Sequence, residues 1–183
     1  MTASKILATL LLLCGPWVGT KADSPTDMPR YEAPAAATEV VLKPRGSATL
    51  RVLFWDIYES TLFTPDGAWS PDIRPLRLDI RYLRNIEAVK LIEQTRKEWQ
   101  SQGIESEQHE SWLALLEGFW PSVTPGDVIS LLVDPEGRST FAFNGNRIGS
   151  IDEASFGEDF TGIWLSPSTS RPKLREAMIG NGG

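Results

Sequence analysis

Apolar and polar residues change from strand-like to helix-like spacing and back along the chain. Residues 76–82 alternate strictly, which predicts a strand with one face in water, as in an antiparallel sheet. Upstream, β-branched and aromatic residues are dense in 40–42 and 49–62. They predict a short strand, followed by two paired strands or one bent strand that is interrupted near 59–60.

The middle of the chain has apolar residues at three- to four-residue spacing, which predicts two helices. The first covers residues 86–102 and ends at Gly103. The second follows Ser106, which can cap it, and stops at Pro121.

The last third returns to strands and then to helices. Residues 128–133 and 139–143 predict a hairpin, and a tight turn leads into a further strand at 147–149. A helix opens near 152–153, and the last helix covers 171–179. The order β–β–β–α–α–β–β–β–α–α, without alternating βαβ units, predicts an α+β domain with helices packed on one face of an antiparallel sheet.

The N-terminus has the pattern of a secretory signal. Lys5 precedes the apolar run 6–13, and small residues allow cleavage after Ala22. Residues 23–38 are rich in proline and alanine and have no periodic apolar face, so they predict a flexible spacer. We therefore expect an exported protein, periplasmic or secreted, with residues 1–22 removed.

Composition narrows the chemistry. The chain of 183 residues has 18 Lys and Arg against 24 Asp and Glu, a formal charge of −6, so nucleic acid is not an expected partner. Its one cysteine, Cys14, and one histidine, His109, are too few for a structural zinc or iron–sulfur site. We expect no metal or cofactor, and we expect His109 at the surface because the helix start that carries it is polar.

Several segments occur in an order that resembles the chalcone isomerase-like family, in particular its short exported bacterial branch. The resemblance covers roughly residues 39–180, which we predict as the folded domain. It is carried by the segments 46–51 (GSATLR), 55–63 (WDIYESTLF), 78–82 (LDIRY), 143–149 (FNGNRIG) and 163–167 (IWLSP).

The resemblance implies an open-faced β-sandwich, a large antiparallel sheet under a layer of helices with a ligand cleft between them. It also implies that the family's enzymes close a chalcone to a flavanone. In those enzymes an arginine from an early strand and a threonine on the next strand bind or polarise the substrate, and a tyrosine and an asparagine near the first long helix hold water and substrate.

This sequence departs from that set. The threonine position falls on or next to Tyr58, as in the family's non-catalytic fatty-acid-binding members, and the tyrosine and asparagine positions fall near Glu87 and Gln94. Arg45 and Arg51 compete for the arginine position. Glu87 and Gln94 are two helical turns apart, so both could face one cleft, although an ordinary solvated pair is the alternative.

These residues favour binding over catalysis. A carboxylate at Glu87 would repel the phenolate that ring closure requires, so we assign no catalytic residue. Arg51 or Arg45, together with Tyr58, could hold the carboxylate of a fatty acid or another apolar small molecule. The alternatives are an intramolecular lyase, a scaffold with a membrane-associated protein partner, and purely structural roles for Arg51 in an ion pair and Tyr58 in the core.

Overall fold

The computed structural model describes residues 40–104 and 106–180, which form six strands and four helices in the predicted order. The predicted signal peptide and spacer lie outside these residues and stay predictions. The strands are β1 (Leu42–Val52), β2 (Trp55–Pro65), β3 (Leu76–Tyr82), β4 (Val128–Val133), β5 (Ser139–Phe143) and β6 (Asn146–Ile151). The helices are α1 (Ala88–Ser101), α2 (His109–Phe119), α3 (Ala154–Leu165) and α4 (Pro172–Ile179).

The six strands form one antiparallel sheet in sequence order. The register places Leu62, Leu78, Leu131 and Phe141 in one row across four strands, and each is at most 2% exposed. Such cross-strand rows of apolar side chains stabilise the sheet and bury one face. The helices cover that face, which confirms the predicted α+β class.

The hairpin of β1 and β2 differs from the prediction. Its turn lies at residues 53–54, between the paired Val52 and Trp55, and the strands continue without a break through 59–60. Residues 40–42 do not form a separate strand, since Leu42 begins β1. The alternative of two paired strands is therefore confirmed, but the predicted position of the break was wrong because the turn contains Leu53 and Phe54, neither of which is a turn-forming residue.

Two β-bulges interrupt the pairing of β1 with β2. In β1, Pro44 and Gly46 pair with two consecutive residues of β2, so Arg45 is an extra residue without a partner in the pairing. In β2, Tyr58 and Asp56 pair with two consecutive residues of β1, so Ile57 is the second extra residue. A bulge changes which side chains face each side of the sheet.

The helices begin and end close to the predicted positions. The buried residues of α1 are Leu91, Ile92, Thr95 and Trp99, which have the three- to four-residue spacing from which the helix was predicted. The second helix begins later than expected, at His109, because Ser106 caps the turn that precedes it by accepting a hydrogen bond from the backbone N of Gln108 at 3.2 Å.

Five aromatic residues form a packed cluster between the sheet and the helices, here called the aromatic cluster: Trp99, Trp112, Phe141, Phe156 and Phe160. The ring of Phe156 lies 5.4 to 6.4 Å from the centroids of the other four. All five are at most 2% exposed. Edge-to-face and stacked rings at these distances add to the stabilisation from buried area.

Helix α4 packs on β1 and is held there by polar contacts. The guanidinium of Arg45 donates a hydrogen bond to the carbonyl O of Ile179, and the Ser60 hydroxyl donates to Met178 Sδ at 3.2 Å. A Cβ on Gly46 would lie 2.5 Å from the carbonyl O of Ala177, so only glycine permits this approach of strand and helix. The last helix is thereby fixed to the first strand.

Candidate functional site

A cavity of about 450 Å³ lies between α1 and the inner face of the sheet. This volume is within the range of about 300–1,000 Å³ for small-molecule sites. Apolar side chains from the sheet, α1, α3 and the β1–β2 hairpin form most of its wall: Leu50, Val52, Ile57, Leu78, Ile80, Leu91, Ile129, Leu131, Phe160, Ile163 and Trp164. The cavity is suited to an apolar or amphiphilic molecule.

Two tyrosines stand at the cavity wall. The Trp164 indole donates a hydrogen bond to the Tyr58 hydroxyl at 3.0 Å, so the Tyr58 O–H remains able to donate to a ligand. The pKa of Tyr58 is raised to about 12, mainly by burial; the Trp164 hydrogen bond and Arg171 lower it, and Glu98 raises it. Burial also raises the pKa of Tyr82. Both phenols are therefore neutral donors at physiological pH.

One edge of the cavity carries charge. Its lining includes the cations Lys90, Lys97 and Arg171 and the carboxylates Glu93 and Glu98, which leaves one excess positive charge. Lys90 is paired with Glu93 at 3.0 Å. Within residues 40–104 and 106–180, neither Lys97 nor Arg171 forms an ion pair. This edge can therefore accept an anionic group.

The Glu98 carboxylate is held by two neutral donors. Gln94 Nε2 donates to one oxygen at 2.8 Å, and the Ser170 hydroxyl donates to the other at 2.7 Å. Ser170 directly precedes Arg171 at the start of α4, so this bond links α1 to the segment that carries the guanidinium. The network orders the charged edge of the cavity.

Two of the five predicted site residues line the cavity, namely Tyr58 and Gln94. Arg51 does not. It lies between the cavity-lining Leu50 and Val52, so strand alternation turns it to the opposite face of the sheet. There it forms a two-point contact with Asp56 at 2.6 and 3.1 Å. The expectation that Arg51 stands at the polar end of the cleft is thus corrected, and the alternative of an ion pair describes it.

Arg45 and Glu87 also lie outside the cavity lining. Arg45 is engaged by the end of α4 because the bulge directs it there. Glu87 is the exposed residue preceding α1, so it does not face the cavity with Gln94. Glu87 precedes the first helical residue, Ala88. The two-turn helical spacing that was expected to place Glu87 and Gln94 on one face therefore does not apply.

Sequence reasoning missed the cations of the site. Lys90, Gln94 and Lys97 follow the i, i+4, i+7 spacing of one helix face, and this signal could have found the two lysines. Arg171 joins them from 74 positions after Lys97, which only the tertiary fold reveals.

The expectation that His109 lies at the surface is wrong. Its side chain is only 13% exposed, and Nε2 lies 3.1 Å from Asp159 Oδ2. The imidazole stacks on Trp99 with centroids 4.3 Å apart.

Among the residues that the structure describes, no group of three His, Cys, Asp or Glu side chains is placed to hold a metal ion, and no helix has the length and apolarity to cross a membrane.

Comparison with known proteins gives a family, a sequence relative and a structural neighbour. Residues 30–180 match the family described as chalcone isomerase-like. An uncharacterized protein of Haemophilus influenzae is 27% identical over 138 residues, 75% of this chain and 68% of that protein. The crystal structure of a fatty-acid binding protein of Arabidopsis thaliana has a TM-score of 0.59 at 11% identity, covering 80% of this chain and 90% of that one. At this identity the likeness shows a shared fold.

Proposed function

The chain belongs to the chalcone isomerase-like family, and from the site that its fold encloses we propose that it binds an amphiphilic small molecule with an anionic head, such as a fatty acid, without transforming it. One observation carries this proposal. An apolar cavity of about 450 Å³ ends at Arg171 and Lys97, which have no ion-pair partner within the described residues.

The polar groups of the cavity suit a carboxylate head. The Arg171 guanidinium can hold it by two hydrogen bonds and Lys97 by charge, and the Tyr58 hydroxyl can donate a third bond. The excess positive charge at this edge attracts an anion even though the whole chain carries −6. The alkyl tail then lies against Leu91, Ile163 and the other apolar wall residues. The structural neighbour with the same fold is a fatty-acid binding protein, which agrees with this ligand class.

The intramolecular lyase alternative finds less support. The resemblance implies a tyrosine and an asparagine that hold water and substrate, but Glu87 is outside the cavity. The Gln94 amide is engaged by Glu98. No described residue therefore stands free at the asparagine position to orient a nucleophile, and binding is the simpler use of the cavity.

The test compares a long-chain fatty acid with the alcohol of the same chain length, each displacing a fluorescent fatty acid from the purified protein. We expect Arg171→Gln to weaken binding of the acid about fivefold, which is ~1 kcal/mol for a partly solvated ion pair. Binding of the alcohol should change little because it has no charge to lose. Arg81→Gln, at an exposed arginine of β3, serves as the matched control.

The outcome separates the candidate functions. If the wild type binds neither ligand, or if Arg171→Gln and Arg81→Gln have equal effects on the acid, the proposal fails and the scaffold alternative gains. Saturable conversion of a chalcone to a flavanone that Tyr58→Phe abolishes would instead establish the lyase.

We further propose that the protein acts after export, on the support of the signal pattern in residues 1–22. Intact-mass measurement of protein recovered from the exported fraction should give an N-terminus at Asp23. Recovery only from the cytoplasm, with residues 1–22 retained, would contradict export.

A further inference from the structure

The turn between β1 and β2 displays large apolar side chains to solvent. Leu53 is 83% exposed, Phe54 92% and Trp55 58%. These three residues and Val52, which is 41% exposed, are here called the hairpin tip. Most other exposed large apolar residues, such as Leu115 and Leu132, occur singly. A contiguous exposed apolar group of this kind marks an interaction surface.

Folding alone does not account for the residues of the tip. Leu53 has a φ of +54°, a conformation that costs roughly 1–2 kcal/mol for most residues other than glycine. Hairpin turns with a positive φ at this position favour glycine or asparagine. The chain instead places a leucine there and a nearly fully exposed phenylalanine beside it. Both choices are unfavourable for a free turn and favourable for a turn in contact with an apolar phase.

The surroundings of the tip match the surface of a lipid bilayer. The Arg84 guanidinium lies 4.3 Å from the centroid of the Trp55 ring. Tryptophan and arginine are among the side chains that lie at the level of the lipid headgroups. Arg51 also stands beside the tip, paired with Asp56. Within residues 50–58 and 82–86 there are two arginines and one aspartate. Arg51 is neutralised by Asp56, so Arg84, which forms no ion pair within the described residues, supplies the free positive charge beside the tip. Glu87 follows it at the start of α1.

The tip is continuous with the cavity. Val52 belongs to the tip and also lines the cavity, and its neighbours Leu50 and Ile57 in the same hairpin line the cavity as well. A molecule that leaves the cavity along these side chains reaches the tip. An exposed apolar tip with the Arg84 guanidinium beside it fits an anionic bilayer, because the apolar side chains can enter the interface while the arginine remains at the level of the charged headgroups.

We propose that the hairpin tip inserts Leu53, Phe54 and Trp55 into the interfacial region of an anionic lipid bilayer. The apolar cavity wall is then next to the membrane, from which an amphiphile can enter. The use of the docked state for ligand exchange rests on the proposed binding function, but docking itself requires no ligand.

The test is co-sedimentation with vesicles of phosphatidylethanolamine and phosphatidylglycerol. The protein is used in the form that cells produce, with intact mass verifying that every variant has the same N-terminus. Leu53→Asn combined with Phe54→Ser removes the apolar tip, and asparagine tolerates the positive φ. We expect this double variant to bind vesicles at least tenfold more weakly, with an unfolding midpoint equal to or above that of the wild type. Leu115→Ser, at an exposed leucine of α2, is the control and should bind as the wild type does.

Three results would overturn the proposal: wild-type protein that stays in the supernatant, a double variant that sediments as well as the wild type, or a Leu115→Ser variant that loses as much binding. Concentration-dependent dimerisation that only the double variant loses, without vesicle binding, would assign the tip to a second copy of the chain. Displacement of a fluorescent fatty acid in vesicle-free solution keeps the two proposals separate, since the double variant should retain that affinity. Loss of vesicle binding with intact fatty-acid binding concerns the tip alone.

Discussion

The helical layer meets the sheet in two different ways. At the aromatic cluster the layers interdigitate, and Phe156 is surrounded by rings with none of its surface exposed. Between α1 and the β1–β2 hairpin the layers part and enclose the cavity. Close packing in the first region supplies the stability that lets the second remain incompletely packed. Phe141 and Phe160 belong to both regions, but substitutions confined to one region should affect stability and binding differently.

The largest effect is expected at the centre of the aromatic cluster. Phe156→Ala removes a fully buried ring and leaves a cavity, which costs about 3–5 kcal/mol of unfolding free energy. Urea denaturation measures this loss. At low denaturant the folded fraction should still bind a fluorescent fatty acid, because Phe156 does not line the cavity. A loss of affinity with little loss of stability would reverse the assignment of the two regions.

A matched pair of leucines makes the comparison quantitative. Leu113 of α2 is 2% exposed and Leu91 of α1 is 8% exposed, but only Leu91 lines the cavity. We expect Leu113→Ala near the upper part and Leu91→Ala near the lower part of the range of about 2–5 kcal/mol for such truncations, because a side chain beside a cavity has fewer contacts to lose. Leu91→Ala should have the larger effect on ligand affinity. Equal costs in stability would show that the cavity wall is packed like the core.

Alkaline pH tests the cavity region through Tyr58 and Tyr82, which both line it. Burial raises the pKa of Tyr58 to about 12 from 10.0. Between these pH values the Tyr58 phenol has released its proton in the unfolded chain and kept it in the native protein. Its contribution to the free energy of unfolding is therefore complete below pH 10 and is lost as the pH rises toward 12. The loss is about 2–3 kcal/mol at most. Tyr58→Phe should flatten this decline in urea denaturation series, leaving the part due to Tyr82. An unchanged slope would place the Tyr58 phenol in water.

The smallest effect is expected on the outer face of the sheet. Arg51→Gln breaks an exposed ion pair with Asp56, and such pairs contribute little. We expect no measurable change in the unfolding midpoint or in fatty-acid affinity, measured beside Arg171→Gln. A clear loss of affinity in Arg51→Gln alone would restore the original assignment of the early-strand arginine to the site.

Sequence patterns predicted the elements well where one period dominated. The alternation in 76–82 and the helical stripe of 86–102 became β3 and α1 with small changes at their ends. The turn of the β1–β2 hairpin was harder to locate because it consists of apolar residues, which in a sequence pattern indicate a continuing strand. Without the turn position, the face of Arg51 could not be assigned.

The candidate site was predictable only in part, because periodicity places residues within one element but does not reveal bulges or contacts between elements. Tyr58 and Gln94 belong to elements whose periodicity is clear, and both line the cavity. Ile57 is a bulge residue, and a bulge has no sequence signature that would have shown which side chains change faces. Arg171 reaches the site through the docking of α4, a contact between distant parts of the chain. Periodicity describes an element but not its distant neighbours.

The attachment of α4 to β1 has a consequence for the order of events during synthesis. Arg45 and Gly46 leave the ribosome early, but their partners at 177–179 are among the last residues of the domain. The packing of α4 on the first strand therefore cannot form until translation of the domain is almost complete. Domains fold as units during synthesis, and in this protein the unit closes only when its two ends meet.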